Sequence, residues 1–431
     1  MALRSISFVL LLALQWSVAR AQDDFSAFDD FGSEWEESTG GLQWTGFLEA
    51  AYGRRLAGEP NFQSRQTLGD VRSRLETVWT ADKLSLTFKG EALYDDYASD
   101  LDAAVRELNL QFSLTKSIDM KIGRQVLTWG TGDLLFLNDL FPKSWVSFFS
   151  GRDDDYLKAP SDAVRATWYG PRFGVDAVLS PAFNADEYLT GERFSFFSGF
   201  VGGVFAPEVP LAVYKPQREL RNSELAVRVF WSTGSIEYAA YVYRGFFKQP
   251  LGFDSELNLV FPELSVYGGS LRRPLASGIF NAEFAFHDSR DDNGGVDPSV
   301  PNSQLRLLLG YEFEARPRLT IGFQYYLEWI QQYSALIANS LTPQFEPDNK
   351  RHVFTNRATF RTNREKLTVS LFSFLSVSDR DYYLRPSVSY RHSDRWVVTG
   401  GANVFRGEEV HTFFGQLEDN SNAYVRVRFS F

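Results

Sequence analysis

Apolar and polar residues alternate one for one along most of this chain. In 422–431, Ala423, Val425, Val427, Phe429 and Phe431 share one face, while Tyr424, Arg426, Arg428 and Ser430 share the other. Period-two alternation marks a half-buried β-strand. The second such segment sets Val71, Leu75 and Trp79 against Asp70, Arg72, Arg74 and Glu76. Comparable segments run through 84–92, 108–114, 173–179, 225–231, 236–242, 305–313, 319–329, 367–375, 382–390 and 396–404. With weaker ones between them, notably near 258–271 and 351–363, the count reaches about 18, with 16 as the alternative. Roughly 9–11 residues each is the length of a tilted membrane strand.

The connections alternate short and long. Short ones fall at 81–82, 115–116, 170–171, 232–234, 272–274, 316–317, 363–364 and 393–394. Longer ones include 129–161, 180–223, 287–302, 331–350 and 406–420. A soluble sandwich or propeller has no need of this rhythm, whereas membrane barrels pair short periplasmic turns with long external loops. The pattern predicts an all-β fold, a transmembrane antiparallel β-barrel over 42–431 with both termini on the periplasmic side.

The N-terminus has a different pattern. Arg4 precedes the apolar run 6–14, and Ala19-Arg20-Ala21 is a small-x-small cleavage site. Residues 1–21 therefore read as a signal peptide, with an apolar run too short to span a membrane. Residues 22–41 are rich in Asp, Glu and Ser and read as a flexible acidic periplasmic leader. No later stretch resembles an apolar membrane helix.

Composition narrows the class. The chain has no Cys, which excludes disulfides, thiol catalysis and Cys-bound metals. Aromatics make up 16 %, enough for girdles at both membrane interfaces. Mean hydropathy is -0.24, too polar for a helical membrane protein but natural where only alternate residues meet lipid. A net charge of -10 argues against nucleic acid as a partner. Ending on Phe431 resembles the terminal signature that the barrel-assembly machinery reads. The remaining expected partners are outer-membrane lipid, lipopolysaccharide and small solutes, and a homo-oligomer is compatible with the chain.

A barrel this wide leaves an aqueous lumen. The segment 129–160 carries Leu134, Leu135, Phe136, Leu137, Leu140, Phe141, Trp145, Phe148 and Phe149, more apolar groups than a solvated loop carries. Folded inward, it would narrow the pore and present Asp153, Asp154 and Asp155; the alternative is packing over the rim. Segment 180–223, with Phe194, Phe196, Phe197 and Phe200, is a second candidate.

On the polar faces of the last five strands stand Arg357, Arg361, Arg385, Arg391, Arg426 and Arg428, and Arg72 and Arg74 extend that wall. Elsewhere the polar faces carry Glu91, Glu107, Asp119, Asp176, Glu237, Glu283, Glu312 and Glu328. A basic wall facing an acidic one would orient dipolar or anionic solutes and give a modest anion preference; the alternative is that these arginines serve stability. The four histidines, His287, His352, His392 and His411, form no nucleophile–base set or paired metal spacing. Asp288, Asp291, Asp292 and Asn293 lack the spacing of a calcium loop. No catalysis, cofactor or metal is expected.

The stretch Gly123-Arg124-Gln125-Val126-Leu127-Thr128-Trp129-Gly130 resembles the GRQ-x3-WG element of porin-like families related to alginate-export channels. In those families the element closes an early strand and enters an inward-folding loop. The resemblance covers about 50 residues and implies an outer-membrane channel. The acidic half of the polar faces departs from the dense Arg/Lys lining of an alginate exporter. Physically, Gly123 permits close strand approach, Arg124 and Gln125 supply polar contacts, Trp129 can anchor at the external interface, and Gly130 allows a sharp exit into the loop. Two functions follow: a passive diffusion channel for small hydrophilic solutes, or a plugged structural or binding barrel such as a receptor, adhesin or scaffold.

Overall fold

A computed structural model describes residues 42–431. The signal peptide and acidic leader expected at 1–41 lie outside the described residues. Eighteen antiparallel strands form one sheet. The first nine are β1 (Gln43–Arg55), β2 (Gln66–Ala81), β3 (Leu84–Asp95), β4 (Asp100–Thr115), β5 (Ile118–Val126), β6 (Pro160–Tyr169), β7 (Gly174–Ser180), β8 (Glu224–Thr233) and β9 (Ile236–Phe246). The rest are β10 (Glu263–Leu275), β11 (Gly278–Ser289), β12 (Gln304–Arg316), β13 (Leu319–Ile330), β14 (Lys350–Arg361), β15 (Leu367–Ser376), β16 (Asp381–Arg391), β17 (Trp396–Gly407) and β18 (Asn422–Ser430).

Each strand pairs with its neighbours in sequence, and β1 also pairs with β18, from Phe47↔Ser430 to Arg55↔Asn422. The sheet is therefore closed and leaves no free edge, as hydrocarbon requires, since lipid offers no partner to an unpaired N–H or C=O. Alternation sorts the side chains as expected. In β1, Phe47, Glu49, Ala51, Gly53 and Arg55 are buried within, while Leu48 and Tyr52 lie exposed outside. Val71, Phe284, Phe323 and Val425 belong to the same exposed apolar belt.

The two segments hardest to read from pattern, near 258–271 and 351–363, are the strands β10 and β14, so the count is 18 rather than 16. One turn is displaced from its expected place. Residues 272–274 lie within β10, and the chain reverses at Ala276 and Ser277. Pro274 is the turn signal in the sequence, but it sits near a strand end, where a missing N–H is tolerated. The reversal instead puts Ala276 at φ +52°, as Asp82 and Arg318 do at φ +49° and +71° in their own short turns. Two-residue hairpins favour this left-handed geometry, which Ala does not advertise.

Candidate pore constriction

The β5–β6 connection, residues 127–159, folds into the barrel. Its Leu127, Trp129, Leu137, Phe141, Phe148, Phe149 and Leu157 are buried in one cluster with lumen-facing Tyr241, Val266, Ala285, Leu308, Val353, Phe372, Tyr383 and Phe405. These partners come from β9 round to β17, so the loop meets most of the wall. Trp129 stacks edge-on against Phe141, with ring centres 5.1 Å apart. A six-residue helix, α1 (Trp145–Ser150), is capped by the Ser144 side chain and ends at Gly151 with φ +89°. A Cβ at Gly151 would stand 2.2 Å from the Tyr424 ring, so only glycine lets the loop lie this close to β18.

Polar contacts pin the loop at successive points. Asp133 takes a bidentate pair from Arg357 of β14 at 2.5 and 2.8 Å, and its N–H donates to Gln324 of β13. Glu283 of β11, fully enclosed, accepts from the N–H groups of Thr131 and Asn138. Arg152 reaches Asp70 and Asp95 on β2 and β3 at 2.7 and 2.9 Å. Asp153 accepts from Arg426 at 2.6 Å and Arg428 at 3.1 Å, both on β18, while Asp154 pairs with Arg385 of β16. Glu49 of β1 completes this group, 2.8 Å from Arg428. Beyond it the ring of Tyr156 lies under the guanidinium groups of Arg72, Arg74 and Arg106 at 3.9, 5.0 and 5.0 Å. Arg72 and Arg74 also share Glu91, at 2.7 and 2.5 Å.

Water nonetheless reaches the loop inside the barrel: the Asp154 side chain is 53 % exposed despite its ion pair, and Asp155 is exposed as well.

Solved structures resemble this barrel in architecture at low sequence identity. OccAB4 of Acinetobacter baumannii matches with a TM-score of 0.54 at 10 % identity, over 92 % of this chain and 99 % of that one. OccAB1 of Acinetobacter baumannii gives 0.53 at 9 %, over 92 % and 98 %. OccK2 (OpdF) of Pseudomonas aeruginosa, solved in complex with glucuronate, gives 0.53 at 9 %, over 90 % and 98 %. The fold is that of an outer-membrane porin. No protein-family profile and no curated relative matches the sequence, so the likeness of 123–130 to alginate-export channels rests on that motif alone.

Within this barrel the motif residues part company. Gly123 has φ +122°, and a Cβ there would meet the Leu108 carbonyl oxygen at 2.3 Å, so close strand approach does demand glycine. Gln125 is fully buried and donates to the carbonyls of Gly123 and Ala163, pinning the end of β5. Arg124 points to the outer face, 3.4 Å from Asp162 on β6. Trp129 is a correction: it is 5 % exposed inside the lumen, not an anchor at the external interface. The reason is that β5 stops at Val126, and Trp129 has already turned inward with the loop. Gly130 lies against the Glu283 carboxylate. Of the remaining arginines expected on the wall, Arg361 and Arg391 sit at the short-turn ends of β14 and β16.

Glu49, Asp133, Arg106, Arg152 and Tyr156 were not singled out by pattern. Glu49 could have been found, because it occupies the polar face of β1 opposite the closing strand. Phe194 of the 181–223 connection joins the lumen cluster, whereas Phe200 of the same connection stays exposed.

The acids fix a pH response. Burial alone would raise the Asp153 carboxyl, but Arg426 and Arg428 outweigh it and hold it at about 2. Asp154 is lowered as well: its surface is open, but the protein enclosing it within the barrel would raise it, and Arg385 outweighs that. Because the docked values lie below the usual carboxylate range, these pairs hold fully above about pH 4 and are lost only as pH falls through the docked values. Single-channel conductance should stay level from about pH 7 to pH 4 and change only in stronger acid. A step near neutrality that Asp153→Asn with Asp154→Asn abolishes would rule out these carboxylates as the loop's anchors.

Proposed function

We propose that this barrel is a passive diffusion channel for small hydrophilic solutes, anionic ones among them. The observation that carries the reading is the water-exposed Asp154 at the inner edge of a loop enclosed by the barrel. A loop that narrows a lumen without drying it is a size filter: it sets the diameter and leaves a hydrated path. Support from likeness is limited to the fold; the glucuronate in OccK2 is a small carboxylate of the class such a path would admit.

Charge at the constriction is nearly balanced. Arg357, Arg385, Arg426 and Arg428 face Asp133, Asp154, Asp153 and Glu49. The wall therefore acts as paired dipoles more than as an open basic surface, and a modest charge preference follows. Replacing Arg385→Gln together with Arg426→Gln leaves Asp153 and Asp154 under-compensated. The reversal potential across a salt gradient should move toward cations, and more so at low salt, since screening reaches only ~10 Å at 0.1 M. An unchanged potential would assign these arginines a purely structural role.

The second reading, a plugged structural or binding barrel, draws on the apolar cluster that crosses the lumen. Single-channel recording separates the two: discrete current steps support the channel, and a silent, correctly folded barrel supports the plug. In either case we infer that the exposed Phe431, whose N–H and C=O pair with Gly46, is the handle for the assembly machinery.

A further inference from the structure

We propose that the two mouths of this channel carry fixed charge of opposite sign, so that the mouth facing the more dilute solution sets the ion preference: anions when it is the periplasmic mouth, cations when it is the extracellular one. The inference rests on the channel reading above and goes beyond it by placing selectivity outside the constriction.

The charge is distributed by end. The eight short turns hold seven Lys or Arg against three acids, Asp82, Glu365 and Asp394. Lys83, Lys116, Arg172, Arg318, Lys366 and Arg395 are all exposed there. Leaving aside the inward-folded 127–159, the eight connections at the other end hold 19 Asp or Glu against 8 Lys or Arg. One mouth has an excess of four positive charges and the other of eleven negative. Between them lies a neck where four arginines meet four carboxylates.

A neutral neck between opposite mouths does not behave as a uniformly charged tube. Each mouth concentrates its own counterions, within a distance set by screening. That distance is ~10 Å at 0.1 M and ~3 Å at 1 M. In a salt gradient the concentrated side is therefore silenced, and the dilute side keeps its field. An anion entering from a dilute periplasmic side meets a mouth that gathers it. An anion entering from a dilute external side meets one that repels it.

The test uses the full chain in planar bilayers. Because the chain has no Cys, Asn293→Cys on the exposed β11–β12 connection reports orientation through an impermeant thiol reagent added to one chamber. Reversal potentials are read in KCl gradients of roughly tenfold, applied in both directions, which changes the screening length about threefold. The expected result is anion preference with the periplasmic chamber dilute and cation preference with the external chamber dilute. Combining Lys83→Gln, Arg172→Gln, Arg318→Gln and Lys366→Gln should abolish the first and leave the second. The same permeability ratio in both directions, or a quadruple variant indistinguishable from wild type, overturns the inference. If the wild type passes no current, the channel reading fails on its own account. The basic ring is then judged by retention of the anionic dye pyranine on the detergent-solubilised barrel. Retention that the quadruple variant loses upholds the ring, and equal retention overturns it.

Discussion

Excising residues 133–155 and bridging the gap with a short Gly-Ser linker should raise single-channel current several-fold and swing selectivity to anions. Both effects come from the same contacts. The segment brings Leu137, Phe141, Phe148 and Phe149 into the lumen, and their removal widens the path. It also carries Asp133, Asp153 and Asp154, so its loss leaves Arg357, Arg385, Arg426 and Arg428 facing water, with Glu49 the one carboxylate still in their ion pairs. Guanidinium stays charged at any accessible pH, so the exposed wall cannot neutralise itself. Conductance and reversal potential from the same recordings check both halves. Equal current in a folded barrel would mean that the narrowest point lies elsewhere.

Val427→Arg should block assembly, whereas Arg426→Gln, one position away, should be tolerated. Val427 pairs with Ala50 and Val398 on neighbouring strands and faces lipid. A cation there costs ~2–4 kcal/mol near the bilayer midplane. Arg426 faces inward and shares its carboxylates with Arg428, so its loss leaves Asp153 and Glu49 with one remaining partner. The fraction migrating as a heat-modifiable folded band measures both. Equal folding of the two variants would contradict the assignment of faces in β18.

What the sequence makes legible is what has a short period. Alternation in β2 or β18 places a side chain inside or outside from its neighbours alone, and connection lengths identify the two ends. The apolar excess of 129–160 announces that the loop cannot lie in water, and Asp153 and Asp154 stand where an inward loop would present them. What stayed hidden depends on the register of the whole sheet. No local pattern says that Asp133 meets Arg357 across 224 residues, or that Asp154 takes Arg385. Trp129 misled because an aromatic residue near a strand end has the same local signature whether the chain continues to the interface or turns inside. Arg124 and Gln125, adjacent in sequence, fall on opposite faces, and only Gln125 serves the interior.

Asp153 bears on how the barrel survives once made. Its partners Arg426 and Arg428 lie on the last strand, and Glu49, which shares them, lies on the first, 379 positions from Arg428. This ionic knot can form only after the ends of the chain have met. It stabilises the finished cylinder and contributes nothing to partly zipped intermediates. Interactions absent from the transition state slow unfolding without speeding folding. The loop is thus a latch on the final joint, and its expected signature is a long-lived native state reached at an ordinary pace.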